Sequence, residues 1–274
     1  MKQPVTGFAM TAMLWLIAAE SANAQSWTGG YVGGAIGGIV AAAKTNETVI
    51  FDTDLDGTFA DTVRTGAGAN AFSPGFCDGL AVNAVAASGC TGDDKGLDVG
   101  GRAGYDWQWG RVVIGGLTDI GRVDVTDSVS AFSTTPAFYA FTRDVKMLAA
   151  VRGRAGVAMT RVLVYATAGA ASADLDLPFT TSNAVNTFAA RAVRERVWGS
   201  QVGGGVEFRV AGHWTVTGEY LWTSIDDREP STVRSQGPAP ATNPFILVNA
   251  SGTDLQRSAR FEFHSARAGL SFRF

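Results

Sequence analysis

Apolar residues alternate with polar or small residues along most of the chain, and no segment sustains an apolar stripe of helical period. Because side chains of a β-strand point alternately to opposite faces, this period of two predicts strands with two different faces. A strand that crosses a bilayer in a barrel needs about 9–11 residues. The chain contains eight segments of at least that length: 31–43, 96–107, 112–125, 144–158, 162–173, 194–210, 214–225 and 258–274.

The connections between these segments alternate between short and long. Tight turns lie near Gly110, Thr160 and Gly212. The long connections are 44–95, 126–143, 174–193 and 226–257. Short turns at one end and long loops at the other are typical of outer-membrane barrels. The pattern therefore predicts an all-β fold, an eight-stranded antiparallel transmembrane up-and-down barrel with short periplasmic turns, long extracellular loops and periplasmic termini.

Two faces can be assigned in several segments. In 96–107, Val99 and Tyr105 share one face, and Arg102 and Asp106 share the other. An apolar face toward lipid and a polar face toward the lumen is the membrane arrangement. The outward set expected in the fourth segment is Val145, Met147, Ala149, Val151, Ala155 and Val157.

The pattern is less clear elsewhere. Glycine and alanine dominate both faces of 31–43 and 162–173, so the register of these two segments stays open. In the last segment Glu262 and His264 have lipid-facing parity, which predicts either a β-bulge there or a part standing above the membrane. Trp and Tyr residues near segment ends, including Trp27 and Tyr31, are expected to form girdles at the membrane interfaces.

The first 24 residues are not expected to belong to the fold. Lys2 precedes the apolar stretch 8–19, and Ala22-Asn23-Ala24 is a small-residue cleavage site. This order is that of a secretory signal peptide, and about a dozen apolar residues are too few to cross ~30 Å of hydrocarbon. We expect cleavage after Ala24 and one barrel domain over 25–274.

Composition narrows the class further. The chain is 46% hydrophobic and 17% charged, against the roughly 25% charged residues of typical soluble domains. An apolar belt facing lipid explains this better than the alternative of a soluble, lipocalin-like barrel. The net charge of −3 and the absence of a basic cluster argue against a nucleic-acid partner.

Cys77 and Cys90 are the two cysteines of the sequence. In an exported chain, an even pair predicts a disulfide, here one that closes a surface loop. A metal site would need further Cys or His ligands nearby, and the two histidines, His213 and His264, lie far along the chain.

The ends of the predicted barrel resemble a known family. The run W-T-G-G-Y-V-G-G at 27–34 is similar to the opening of small alphaproteobacterial outer-membrane proteins, and A-R-A-G-L-S-F-R-F at 266–274 is similar to their ending. These proteins form the OmpA-like, opacity-type eight-stranded barrel group, commonly labelled "porin family". The resemblance implies a location in the Gram-negative outer membrane. It also implies a recognition signal for the barrel-assembly machinery, carried by Leu270, Phe272 and Phe274.

Charged residues with lumen-facing parity form the first candidate site. An eight-stranded barrel is just wide enough for its own side chains, and charges held there need partners. We therefore expect a mixed network that plugs the lumen, with a narrow small-solute channel as the alternative. Its members are Arg102, Asp106, Asp119, Arg152, Arg154, Glu207, Glu219 and Arg267.

A D-x-D-x-D-G run in the first long connection forms the second candidate. Asp52, Asp54 and Asp56 match oxygen ligands 1, 3 and 5 of a calcium loop, with Asp61 nearby. Position 12, which should be a bidentate Glu, is Val63, and Asp and Gly are also ordinary turn residues. A weak calcium site therefore remains one interpretation of this run, and an ordinary turn is the other. The sequence predicts no other cofactor.

The third candidate is Glu262, His264 and Ser265, because some lipid A-modifying enzymes are barrels that carry such residues on a lipid-facing surface. Adjacent residues of a regular strand point to opposite faces, so His264 and Ser265 cannot form a dyad. We therefore expect a non-enzymatic barrel that contributes to envelope integrity, surface interaction or both. Expected partners are outer-membrane lipid and lipopolysaccharide and an extracellular or host-surface ligand, met by the connections 44–95 and 226–257.

Overall fold

The computed structural model describes residues 26–41, 47–92 and 96–274, so the expected signal peptide lies outside the described residues. One short 3-10 turn, η1 (Ala86–Ser88), accompanies the strands in this part of the chain, and no helix there is long and apolar enough to span a membrane. The strands are β1 (Gly29–Ala41), β2 (Val49–Asp52), β3 (Gly75–Asp78), β4 (Leu80–Ala81), β5 (Cys90–Thr91), β6 (Gly96–Trp109), β7 (Val112–Ser133), β8 (Ala137–Ala158), β9 (Val162–Asp176), β10 (Phe179–Thr181), β11 (Thr187–Ala190), β12 (Arg194–Ala211), β13 (Trp214–Ile225), β14 (Val233–Gln236), β15 (Thr253–Arg257) and β16 (Phe261–Arg273).

Eight of these strands form a closed antiparallel ring in the order β1, β6, β7, β8, β9, β12, β13 and β16, with β16 pairing back to β1. The register left open for the first segment is now set, because Gly33 pairs with Ser271 of β16 and with Arg102 of β6. A closed ring leaves no unpaired sheet edge. The predicted all-β antiparallel barrel is confirmed.

The two faces of the ring follow the alternation in the sequence. On β6, Val99 and Trp107 are about half exposed on the outer face, at 45% and 48%, whereas Arg102 and Asp106 are buried in the lumen. The outer face is therefore apolar and the inner face polar, the reverse of a soluble barrel.

Three tight turns and the ends of the described chain lie at one end of the ring, here called the turn end. Gly110 and Gly212 take positive φ angles of 59° and 49° in two of these turns, a conformation that glycine adopts without steric cost. The backbone N–H of Arg273 donates to the carbonyl of His213, and that of Phe274 donates to Gly30. These bonds place both chain ends beside the turns, as strand parity predicts.

The four long connections are far more structured than the sequence pattern indicates. The segment 126–143, expected to be a loop, continues β7 and β8 as one hairpin beyond the ring. At the free edges of this hairpin, β3 pairs with β7 and β10 pairs with β8. The strands β11, β14, β15 and β2 form a second sheet. We call the part of the described chain beyond the ring the cap, made of 47–92, 126–143, 177–193 and 226–260.

Two expectations about strand faces need correction. The expected outward position of Val145 is wrong, because register shifts between Val145 and Met147 on β8, and opposite them on β7, turn Val145 into the lumen at 0% exposed. The bulge considered for the last segment is also wrong, since β16 pairs with both neighbours without a register shift. Phe261 and Phe263 point inward instead, because the lumen becomes apolar toward the cap.

Three clusters of buried apolar residues follow one another along the barrel axis. At the turn end, Trp27, Val113 and Leu163 belong to the first cluster. The second lines the lumen near the cap and includes Phe261 and Phe263. The third fills the cap. Trp27 and Tyr31 are 1% and 3% exposed, so their expected place in a lipid-facing girdle is wrong.

Candidate functional site

The lumen next to the turn end holds a closed ring of four charged side chains, here called the lower layer. The guanidinium of Arg154 pairs with the carboxylates of Asp106 and Glu207, the latter at 2.9 Å. Arg273 pairs with the same two carboxylates, at 2.6 Å and 3.0 Å. All four side chains are at most 6% exposed. Two arginines and two acids thus neutralise one another away from water.

Aromatic rings support this layer from the lumen wall. The guanidinium of Arg154 lies 4.8 Å from the ring centre of Tyr31 and 5.0 Å from that of Tyr165. Arg273 lies 4.9 Å from the ring centre of Trp27 and donates a hydrogen bond to its backbone carbonyl. Cations are attracted to aromatic faces at such distances, more strongly when both are desolvated. This contact explains why Trp27 faces the lumen rather than lipid.

A second group of charges, the middle layer, lies further along the lumen. Glu219 accepts hydrogen bonds from Arg102 at 2.6 Å, from Arg152 at 3.3 Å and from the Tyr165 hydroxyl at 3.0 Å. Asp119 pairs with the same two arginines. Arg267 pairs with Asp98 at 2.5 Å and lies 3.7 Å from Asp119. Arg152 is fully buried, with 0% of its side chain exposed.

These two layers leave little room for solvent. Together they contain five arginines and five carboxylates, so the formal charges of the two layers cancel, and Arg209 lies beside the lower layer over the ring of Trp27. A cavity lined in part by Asp98, Asp119 and Arg267 has a volume of about 10 Å³. Such a space holds about one water molecule.

A third ionic cluster, the junction cluster, lies between the barrel and the cap. Arg143 pairs with Asp127 at 2.5 Å and with Asp227 at 2.8 Å, and Arg257 pairs with Glu47 at 2.7 Å. Arg257 also donates to the backbone carbonyl of Asp127. These side chains are at most 5% exposed and come from three different connections. The cluster therefore ties the cap to the mouth of the barrel.

All eight charged residues expected in the lumen lie there, in the lower and middle layers. Sequence reasoning missed Asp98 and Arg273, although both have the lumen-facing parity that identified Arg102 and Arg267. It also missed the junction cluster. The sequence gives no signal for that cluster, because its members lie in segments expected to be loops. In a loop, alternation does not assign side chains to a lumen-facing or an outward-facing side.

The cap has its own core, built mainly of aromatic side chains. Phe72 lies near its centre, with ring centres 4.5 Å from Phe51, 5.2 Å from Tyr139 and 5.9 Å from Phe245. Phe188 packs against Tyr139 and Phe245 in turn. Aromatic pairs in such edge and tilted arrangements add stabilisation beyond their buried area. The long connections thus form one folded unit over the barrel mouth.

The expected disulfide joins Cys77 and Cys90 in the first long connection. It links β3 to β5 and so holds the base of the short hairpin of β4 and β5, where Ala81 pairs with Cys90. The hairpin is attached to the outer side of β7, because Ser130 Oγ donates to the carbonyl of Gly79 and accepts the N–H of Ala81. Val82 and Val85 at its tip are 58% and 52% exposed.

The aspartate run forms a tight turn in the cap. Asp52 accepts the backbone N–H groups of Leu55, Asp56 and Gly57, at 2.7 to 3.2 Å. Carboxylate oxygens of Asp52, Asp54 and Asp61 lie within 4.8 Å of one another. Asp61 thus takes the place expected for Asp56, whose carboxylate accepts the N–H of Thr58. Calcium binding by these residues stays a prediction.

The third candidate group is divided between the two faces of β16. The ring of His264 stacks on Tyr220 outside the barrel, with its Nδ1 atom 2.8 Å from the tyrosine hydroxyl. Ser265 is buried on the lumen side at 1% exposed. The two side chains therefore do not meet, as expected for neighbours on a regular strand. Further along the strand, Leu270 and Phe274 are 49% and 67% exposed on the outer face, with Phe272 between them.

A family model described as outer membrane protein beta-barrel domain matches residues 9–274. The chain belongs to this family. The 31 kDa outer-membrane immunogenic proteins of Brucella melitensis and Brucella suis are each 30% identical to it over 179 residues. The match covers 64% of this chain and 66% of each relative, so the chain spans just under two thirds of their length.

Solved structures agree on the fold. The outer membrane protein OprG from Pseudomonas aeruginosa is similar with a TM-score of 0.50 and 10% identity, covering 90% of this chain and 97% of that one. At this identity the likeness concerns the fold alone. Family membership and the apolar outer face together show that this outer membrane β-barrel protein is located in the outer membrane.

Proposed function

We propose that this outer membrane barrel is closed and non-enzymatic, and that it holds the cap at the cell surface for contact with molecules outside the cell. One observation carries the proposal: two neutral ionic layers fill the lumen beneath a folded cap. Separating buried charges from their partners is costly, so the paired side chains should stay in place and keep the lumen closed. The stable barrel would also contribute to envelope integrity.

The orientation belongs to the same proposal. Short turns of outer-membrane barrels lie on the periplasmic side and longer loops outside. The turn end, with both ends of the described chain, would then face the periplasm, and the cap would face outward. Leu270, Phe272 and Phe274, on the outer face near the turn end, would be accessible to the assembly machinery before the barrel closes.

The architecture of the cap supports a role in surface contact. Loops that serve only as connections are usually short, whereas long ones are commonly functional. Here they share an aromatic core, so their exposed side chains are held in fixed relative positions. The name of the Brucella relatives describes them as immunogenic, which agrees with parts accessible from outside the cell.

The geometry around His264 supports the non-enzymatic part of the proposal. The side chain of His264 is paired with Tyr220 on the outer face, and Ser265 lies behind it in the wall of the lumen. A hydroxyl nucleophile needs its base within hydrogen-bond reach. We therefore propose no hydrolytic role for Glu262, His264 and Ser265.

Conductance in planar lipid bilayers tests the closed lumen. The purified barrel should give no stable conductance steps, while an open porin inserted in parallel reports that the bilayers accept proteins. Stable, ohmic steps from the native protein would overturn the closed-barrel proposal and favour a narrow small-solute channel. Heat-modifiable migration on an unboiled gel confirms in the same samples that the barrel is folded.

A further inference from the structure

Arg209 differs from the other buried arginines of the described chain because no acidic side chain pairs with it. It lies on β12 at the turn end of the lumen and is 8% exposed. Arg154 and Arg273 are each shared between the two carboxylates of the lower layer. Among the residues that the structure describes, no carboxylate lies within 4.0 Å of the Arg209 guanidinium. A buried cation without a countercharge is costly, so an anion beside Arg209 would stabilise it.

Hydrogen-bond donors outnumber acceptors around this guanidinium. It lies 4.7 Å from the ring centre of Trp27, and its Nη2 donates to the backbone carbonyl of Ser26 at 2.9 Å. A guanidinium has five N–H groups, so most of them remain to be used. Nε of Arg209 and Nε1 of Trp27 are both buried without an acceptor in the described chain. Buried donors are usually satisfied, so the two indicate that this place suits a group rich in acceptors.

A second arginine lies directly opposite Arg209 on the neighbouring strand. Phe208 of β12 pairs with Val162 of β9, and one position further the backbone N–H of Arg209 donates to the carbonyl of Arg161 at 2.9 Å. Side chains directly opposite in an antiparallel pair share one face, with Cβ atoms about 5 Å apart, and like charges there repel. Arg161 is exposed, and within the described residues no carboxylate lies within 4.0 Å of it either. Arg161 and Arg209, here called the arginine pair, thus place two uncompensated charges side by side.

The rest of the turn end does not supply the missing negative charge. The acidic side chains of the segments that form it are Asp106 and Glu207, and each already binds two arginines of the lower layer. Arg111, in the turn between β6 and β7, adds a further cation. These segments are 26–30, 104–116, 154–165, 205–218 and 270–274. The turn end therefore carries an excess of positive charge around the mouth of the lumen.

The arginine pair also lies at the depth of the lipid headgroups. Trp109 and Trp214, each beside one of the tight turns, are 61% and 45% exposed on the outer face. Exposed tryptophans of membrane proteins lie at the headgroup level of the bilayer. Arg161 lies in the third tight turn, between β8 and β9. Phosphate groups of the leaflet at the turn end are thus present at the level of the arginine pair.

We propose that Arg161 and Arg209 form a binding site for a phosphate group, carried by a phospholipid headgroup or by free phosphate. Its oxygens would accept hydrogen bonds from Arg161 and from the Nη groups of Arg209. Guanidinium groups bind phosphate through two parallel N–H groups, which gives them both charge and geometry for this ligand. The negative charge would also relieve the repulsion within the arginine pair. The proposal depends on the outer-membrane location and not on a closed lumen.

Isothermal titration calorimetry of the folded native chain in a non-ionic detergent tests this site. The probes are a short-chain phosphatidylglycerol, inorganic phosphate, the diacylglycerol with the same chains, and acetate at matched ionic strength. The native protein should bind phosphatidylglycerol and should not bind diacylglycerol or acetate. If inorganic phosphate binds as well, the phosphate group alone is sufficient; if only the lipid binds, the ligand is the headgroup. Arg161→Gln/Arg209→Gln should weaken binding of phosphatidylglycerol about 30-fold, at about fivefold for each cation near a membrane surface.

The matched control is Arg64→Gln/Arg191→Gln, which removes the same charge from exposed positions in the cap and should bind as the native protein does. Arg161→Gln alone disrupts no ion pair within the described chain, and its loss of about fivefold keeps the test valid if the double variant folds poorly. Equal affinity of the native chain and the folded variants for phosphatidylglycerol would overturn the proposal. So would binding of neither phosphate probe, or binding of diacylglycerol or acetate as tightly as of the phosphate probes.

Discussion

The lumen and the cap are stabilised by opposite means. In the lumen, arginines such as Arg152 and Arg154 are held by carboxylates from several strands. In the cap, Phe72, Tyr139 and Phe245 pack ring against ring, and the buried ion pairs of Arg143 and Arg257 lie at its border with the barrel. The membrane explains the difference. The lumen is surrounded by an apolar belt and so must bury the polar face, whereas the cap is surrounded by water and buries an apolar one.

This difference has a consequence for how each region responds to damage. A buried ion pair that loses one partner leaves an uncompensated charge, and the cost is shared through a network that closes the barrel. A cavity in an aromatic core costs a similar energy, but it affects only the unit that contains it. Lumen variants should therefore act on the whole barrel, and cap variants should act on the cap alone.

The largest effect is expected from Arg152→Ala. This change leaves Asp119 and Glu219 with one arginine fewer in a site that excludes water, and breaking a buried pair costs about 3–5 kcal/mol. The folded fraction in urea titrations, followed by heat-modifiable migration in lipid vesicles, should drop accordingly. The control Arg152→Met/Glu219→Gln removes charge from both sides and should recover part of the loss. A change below about 1 kcal/mol for Arg152→Ala would mean that the lumen is hydrated.

The next effect is expected from Phe72→Ala, which empties the centre of the cap core. Truncating a buried phenylalanine costs about 3–5 kcal/mol, and here the cost should remain within the cap. Limited proteolysis should cut the cap several-fold faster, while the heat-modifiable migration of the barrel stays unchanged. Phe76→Ala, at a 37% exposed position of the same connection, is the matched control. If Phe72→Ala unfolded the barrel as well, the two regions would be one cooperative unit.

A smaller effect is expected from removing the disulfide with Cys77→Ser/Cys90→Ser. The bond spans 13 residues, and closing a loop of about 15 residues stabilises by about 3 kcal/mol at most. The hairpin β4–β5 is also attached to β7 through Ser130, so the loss should be confined to the hairpin tip. Proteolysis near Val82 and Val85 should accelerate, with no change elsewhere in the cap. Reductant added to the native protein should reproduce this pattern of cleavage. If the tip stayed protected both in the double variant and in the reduced native protein, the prediction would be wrong.

How much could be predicted from the sequence differs between the same two regions. The ring, its turns and the eight lumen residues followed from alternation, because every barrel strand obeys one period and one pair of faces. Val145 could not be placed, since a bulge reverses parity without a local sequence signal. The cap could not be predicted either. Phe51, Phe72 and Phe245 are separated by long irregular stretches, and only tertiary packing brings them together.

The smallest effect expected is a pH dependence at the border between the two regions. Partial desolvation, with the carboxylates of Asp127 and Glu47, raises the pKa of Asp78 above its ordinary value of 3.8, while Arg257 and Arg143 oppose this shift. A carboxyl group with a raised pKa stabilises the fold when protonated. This stabilisation is complete at pH values below the ordinary pKa and is lost as the pH rises through the raised pKa.

The resistance of the cap to proteolysis by an acid-tolerant protease should therefore fall slightly as pH rises from about the ordinary pKa of an aspartate, 3.8. Asp78→Asn should remove this dependence, because the amide does not titrate and keeps a similar shape. Asp56→Asn, an exposed cap position outside the junction cluster, is the control and should retain it. An unchanged pH dependence in Asp78→Asn would show that another group at the junction titrates. A dependence in the barrel itself would instead place the sensitive carboxylate among the lumen layers.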